Sequence, residues 1–253
     1  MRRSMVASKE RAFILVIGAS GRTGVFATRY LCAATVPVIA CVRRVQRLPA
    51  EPLLARAEVA TANLERPETL APLIDRALHV IYVAGSDRRS LSPGAWQLEV
   101  DALSACVEMA RRSGFDGRWI YVGYTGAGQR GSATWAETRW RELKAEAEQV
   151  ILSSDLNYFI LRTGHVTGIV SLEPNVSMTQ QHNVAPDAEL PCNVLGFLLT
   201  GAALAGATRR SQVTVRVDAH GFKLQDAVQT FGRLRSDAPA TPAEPQNLSF
   251  RRA

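Results

Sequence analysis

Three glycines spaced three apart, Gly18, Gly21 and Gly24, lie in the turn Gly18-Ala19-Ser20-Gly21-Arg22-Thr23-Gly24. The chemistry such a turn offers is anion binding. One glycine lets the chain reverse tightly, one lets backbone approach a pyrophosphate, and one lets helix and strand pack closely. The start of a following helix adds free N–H groups and a partial positive charge. Beyond the turn, side chains suited to chemistry are sparse. Lysine occurs only at Lys9, Lys144 and Lys223, so a lysine in the middle of a helix, as at Lys144, stands out against an arginine background.

The elements around the turn give it meaning, since a glycine-rich loop alone says little. Phe13-Ile14-Leu15-Val16-Ile17 reads as a strand buried on both faces, and Val25, Phe26, Tyr30 and Leu31 recur at helical spacing. A second strand, Val36 to Val42, completes a βαβ unit, the context in which the motif binds a dinucleotide. Further strands are expected at Glu58–Thr61, Val80–Val83, Trp119–Val122, Tyr158–Leu161 and Gln212–Val217. Helices are expected at 65–76, 96–112, 135–152, 193–204 and 224–231, the last stopped by Gly232. This alternation implies an α/β fold, a Rossmann-type doubly wound parallel sheet with right-handed crossovers. The expected organisation is a flexible lead (1–12), a single domain (13–232) and a disordered, proline-containing tail (233–253). Residues 165–232 form a small substrate-covering region, opening with the long polar segment 165–190.

Composition narrows the function. A chain of 253 residues fits one domain with a sizeable core. The net charge of +7 comes with basic residues gathered at the two ends and no basic stretch interleaved with stacking aromatics, which argues against nucleic-acid binding. The four cysteines lack metal or redox spacing, so no metal site is expected and they read as small buried residues of a reducing compartment. With no apolar leader after Arg2-Arg3 and no run long enough to span a bilayer, a cytoplasmic protein without a membrane partner is expected. A homodimer remains one option for its oligomeric state.

A strand that prefers NAD ends in a carboxylate for the ribose 2′-hydroxyl. Here the second strand ends Cys41-Val42-Arg43-Arg44, and no carboxylate appears before Glu51. A guanidinium offers a planar fork of donors to a 2′-phosphate, and Arg22 is a further candidate, so NADP(H) is the expected cofactor. A solvated arginine pair is the alternative.

The G-x-x-G-x-x-G spacing resembles the short-chain dehydrogenase/reductase superfamily. With Ala-Ser and Arg-Thr inside it, it resembles the atypical branch that includes NmrA-like proteins and flavin or biliverdin reductases. Lys144-Ala145-Glu146-Ala147-Glu148, Ser154 to Tyr158 and Leu161-Arg162-Thr163-Gly164 resemble that family's lysine helix and its strand closing in Arg-Pro-Gly. The resemblance runs from about Phe13 to Leu204. It implies a cofactor site of Gly18, Ser20, Gly21, Arg22, Thr23, Gly24, Arg43, Arg44, Asn63, Leu64, Ala84, Gly85, Lys144 and Thr163. Asn63 stands where many relatives carry an aspartate on the adenine; a surface turn residue is the equal alternative.

The same resemblance makes Lys144 the family lysine and puts Trp140 where the proton-delivering tyrosine belongs. An indole N–H cannot take over that duty. Tyr124 falls at the catalytic serine position, where it either replaces the missing acid or forms a pocket wall. His165 is a lesser acid candidate. Lys144 could instead be a solvated neighbour of Glu142 and Glu148. The implied activity is NADPH-dependent reduction of a small, cyclic or aromatic carbonyl or enone, a small-molecule substrate. A non-catalytic NADP-binding redox sensor of the NmrA-like type and a non-redox isomerase or cyclase on the same fold are the alternatives.

Overall fold

The computed structural model describes residues 11–85, 94–129, 134–171, 175–179, 189–205 and 210–221, together with Gln229. Apolar, β-branched runs become the central strands β1 (Phe13–Ile17) and β2 (Val38–Val42), and the more exposed β3 (Glu58–Thr61) lies at the sheet's edge. They are joined by β4 (Ala77–Tyr82), β5 (Arg118–Tyr124) and β6 (Asn157–Thr163). Amphipathic runs become the helices α1 (Arg22–Ala33), α2 (Ala71–Ile74), α3 (Ala102–Arg112) and α4 (Trp135–Leu152), and an apolar, almost fully buried run becomes α5 (Cys192–Leu204). Short strands β7 (His165–Thr167), β8 (Asn175–Thr179) and β9 (Glu189–Pro191) follow β6, and β10 (Ser211–Gly221) follows α5.

Among the described residues the main sheet runs β3-β2-β1-β4-β5-β6-β10-β8. Its first seven strands pair parallel, and β8 closes the edge antiparallel to β10. The strand order reverses between β1 and β4, which is where a doubly wound sheet opens a ligand crevice at the strands' carboxyl ends. Strand β1 is buried on both faces as its composition predicts. Ile14 and Val16 pack with Ala27, Leu31, Leu198 and Leu199 of α1 and α5. Leu15 and Ile17 pack with Leu103, Cys106, Leu143 and Ile151 of α3 and α4. All four cysteines are free and buried.

Several expectations need correction. The helix expected over 65–76 reduces to a 3₁₀ turn, Pro67–Leu70, and the single turn α2. Pro67 and Pro72 lack backbone donors and clash with preceding carbonyls, so a continuous helix cannot form there. The helix expected over 96–112 is interrupted: residues 95 and 96 are α-helical, Gln97–Asp101 is π-helical, and α-helix resumes at Ala102. Within the polar segment 165–190, β7 pairs with β9 and β8 joins the main sheet, strands too short for their periodicity to show. The lead up to residue 10, the tail from 233 and the helix expected at 224–231, apart from Gln229, lie outside the described residues.

Candidate active site

Local geometry first makes an anion cradle. Gly18 and Ala19 donate their N–H groups to the Cys41 carbonyl at 3.2 and 3.1 Å, tying the turn to the end of β2. Gly18 has φ +93°, and a Cβ there would sit 2.7 Å from the Ala84 nitrogen, so the turn must pass bare beneath the end of β4. A side chain on Gly24 would drive into the Gly18 carbonyl, which is how α1 seats directly on the turn. Gly21 caps α1 with no side-chain hydrogen bond, and no acidic residue lies in the first helical turn. The helix start is thus left open to an outside anion, and these residues fit the diphosphate of a dinucleotide.

The second half of the site lies on α4. Its start is set locally: the Thr134 hydroxyl accepts from the Glu137 N–H at 3.3 Å, a cap that the Thr-x-x-Glu spelling announces. Trp140, Lys144 and Glu148 recur at four-residue intervals and so share one face. The Lys144 Nζ donates to Glu99 Oε2 at 2.7 Å and lies 4.8 Å from the centre of the Trp140 ring. Glu99 is 1% exposed and comes from the π-helical stretch before α3. The Glu148 carboxylate, 3% exposed, accepts the Tyr124 N–H at 3.1 Å and pairs with Arg162 Nη2 at 2.6 Å. It thereby joins α4 to the ends of β5 and β6, and it leaves no room for a side chain at Gly123. Lys144 is therefore not the solvated partner of Glu142 and Glu148; its partner is Glu99.

Between the halves lies a cavity of about 400 Å³. Its wall includes Gly21, Arg22 and Thr23 at one end and Tyr124, Trp140 and Lys144 at the other, with Ala84, Gly85, Thr163 and His165 among the residues between. Gly18, Ser20, Gly24, Arg43, Arg44, Asn63 and Leu64 do not line it. Arg43 and Arg44 lie exposed just past the Cys41 carbonyl that holds the turn. Asn63 follows Ala62, whose N–H bonds the Val42 carbonyl at 3.1 Å, so it flanks the same rim. Its Oδ1 accepts from the Glu65 N–H at 3.1 Å, a turn-forming contact that leaves the amide NH₂ as its other polar group. Leu64 packs against the core beside Ala60 and Ala62.

Sequence reasoning missed Glu99, Glu148 as a brace, and the phenols Tyr82 and Tyr121 in the cavity wall. Both carboxylates had a visible signal. Glu99 precedes Leu103 by four and Cys106 by seven, on the stripe that faces the core, and Glu148 precedes Ile151 by three on the buried face of α4. A carboxylate on an apolar stripe demands a cation. Burial holds the Tyr82 and Tyr121 hydroxyls protonated well above the ordinary phenol range, and Glu99 adds to this in both. Neither hydroxyl has a hydrogen-bond partner among the described residues. No cluster of His, Cys, Asp or Glu able to hold a metal ion, and no helix long and apolar enough to cross a membrane, occurs among the described residues.

A doubly wound sheet whose glycine turn opens onto the crevice at its switch point defines a nucleotide-binding Rossmann protein. The comparisons agree. The family model described as NAD(P)H-binding matches residues 18–190, and the chain belongs to that family. No curated protein matches the sequence. Among solved structures, it is similar to a Bacillus halodurans protein named for an NAD-dependent epimerase/dehydratase activity, with 17% identity and a TM-score of 0.73 over 88% of this chain and 100% of that one. The anaerobilin reductase ChuY of Escherichia coli O157:H7 is 18% identical, with a TM-score of 0.67 over 83% of this chain and 100% of its own. A short-chain dehydrogenase/reductase of Veillonella parvula in complex with NADP is 16% identical, with a TM-score of 0.66 over 83% and 97% of the two chains. At these identities the likeness establishes the fold, as expected from the resemblance to the atypical short-chain dehydrogenases/reductases.

Proposed function

We propose that the protein is an NADPH-dependent reductase of a small, cyclic or aromatic carbonyl or enone compound. One observation carries this reading: a single cavity joins the start of α1 to Tyr124 and Lys144. The likeness to a reductase and to an NADP complex supports it. NADPH, when bound, supplies the hydride. The chain's own residues do the rest. The glycine turn holds the diphosphate, with Ser20 and Thr23 beside it. Arg43 and Arg44 offer their guanidinium forks to the 2′-phosphate, Arg22 assisting, and Asn63 and Leu64 flank the adenine. Ala84, Gly85 and Thr163 pass close to the sugar and ring, where Lys144 donates. Tyr124 donates its phenolic proton to the substrate oxygen, a task that the Trp140 indole cannot perform. Trp140 is a flat wall for the substrate.

The test is oxidation of NADPH against a panel of cyclic and aromatic carbonyls and enones. Removing a general acid costs ~10²–10⁴-fold in rate, so Tyr124→Phe should lower kcat by that much with KM for NADPH unchanged. Unaltered turnover in Tyr124→Phe would remove Tyr124 from the chemistry.

A second reading, a non-catalytic NADP-binding sensor, draws on the Lys144–Glu99 pair. A lysine whose charge is matched at 2.7 Å by a buried carboxylate is suited to holding a ligand rather than to acidifying a neighbour. Tight NADP binding with no turnover across the panel would favour that reading.

A further inference from the structure

The Lys144 head group is held from two sides, once from its own helix and once from a different element. Trp140 lies one turn back, with its ring centre 4.8 Å from Nζ. Glu99 reaches over from a different element, accepting at 2.7 Å, with the lysine side chain 13% exposed and the glutamate 1%. Placing a carboxylate there requires unusual backbone. The π-helical stretch Gln97–Asp101 inserts wider turns just before α3, a geometry that is rare and concentrated at functional sites. The carboxylate also lies against Gly85, where a Cβ would sit 2.6 Å from Oε1. Glu99 is thus wedged between the backbone that leaves β4 and the Lys144 ammonium, in the wall of the cavity.

Burying both charges is costly unless they meet. Lys144 has three donors, of which one is spent on Glu99, so two can still meet a ligand. Without Glu99, a mostly buried ammonium would lack its counter-charge and would swing out towards water.

From this geometry we infer that Glu99 is a positioning residue: it fixes the Lys144 ammonium where that ammonium donates to the bound dinucleotide. The inference rests on the nucleotide-binding reading of the cavity and extends it to a residue outside the glycine motif.

NADPH titration by calorimetry, on the full chain, tests it with four proteins: wild type, Glu99→Gln, Lys144→Met and the double variant. Thermal unfolding is measured alongside. Glu99→Gln strands a cation and should lower the melting temperature, whereas the double variant removes both charges and should recover most of that loss. In NADPH affinity, each single variant should lose about tenfold, equivalent to about 1.4 kcal/mol, and the double variant should lose no more than either single. Glu99→Asp, which keeps the charge, should recover part of the loss. Losses that add in the double variant would overturn the inference, since Glu99 would then act independently of Lys144. So would a folded Glu99→Gln protein that binds NADPH as tightly as wild type. A wild type that takes up no NADPH would instead remove the nucleotide-binding reading itself, and this inference with it.

Discussion

Arg43 and Arg44 leave β2 exposed on the rim that also carries Asn63, where a carboxylate would instead favour the unphosphorylated cofactor. Replacing Arg43 with alanine should weaken NADP by about ten- to a hundredfold, roughly the worth of one charge-assisted hydrogen bond, and leave NAD nearly unchanged. Competitive displacement of a fluorescent nucleotide measures both; equal losses for the two cofactors would show that the arginine reads no 2′-phosphate. At this scale the site was only partly legible in the sequence. Gly18, Gly21 and Gly24 announce themselves, because their spacing and their βαβ setting can be read within 32 consecutive residues, Phe13 to Arg44. Glu99 and Lys144 are 45 positions apart, and nothing local ties them. What betrays such a pair is indirect: an acid on an apolar stripe, and one of only three lysines in a chain whose basic residues are otherwise arginine.

Elements were more legible than the joints between them. Alternation of apolar runs with amphipathic ones places β1 to β6 in chain order, most plainly β1 and β2, since a strand buried on both faces has few other compositions open to it. The helix expected over 65–76 failed on Pro67 and Pro72, whose effect on the backbone outweighs the surrounding helix formers. The π-helical turn left no mark that periodicity could read, since a single wider turn inside a helix keeps the helical pattern on either side. The seating of α1 on the glycine turn makes a prediction at this scale. Gly24→Ala must push a methyl group against the Gly18 carbonyl and to 2.9 Å from the Ala19 Cα, both of them backbone atoms that cannot swing aside. Overpacking of this kind costs about 1–3 kcal/mol. Thermal unfolding should show the loss, and NADPH affinity should fall with it. Gly94→Ala is the control, since a Cβ there has no neighbour within 4 Å among the described residues. Equal behaviour of the two variants would mean that the turn has slack to give.

The whole molecule carries a set of buried weak acids that responds to alkaline pH. Burial pushes the Cys41 and Cys106 thiols to about 12 from an ordinary 9.0, and it holds the Tyr82 and Tyr121 phenols well above their usual 10.0. In the folded chain these groups keep protons that the unfolded chain has already released. Their contribution to stability is therefore complete below the thiols' ordinary 9.0 and drains away as the pH rises towards about 12. Melting temperature followed against pH should stay level up to about 9 and decline above it. Of the five tyrosines, Tyr82 and Tyr121 should give no phenolate absorbance until the chain unfolds. A full phenolate signal from folded protein near pH 10 would contradict their burial.

Gly196 of α5 meets α1 so closely that a Cβ would lie 2.6 Å from that of Phe26, while its neighbour Leu195 forms part of the cavity wall. A helix that contributes to the cavity wall is thus keyed into the helix that begins at the glycine turn. Exchanging α5 alone for the corresponding segment of another protein would leave a mismatched seam, because altering one helix means recutting the other. Change in the cavity would have to proceed through point substitutions that leave this interlocked pair whole.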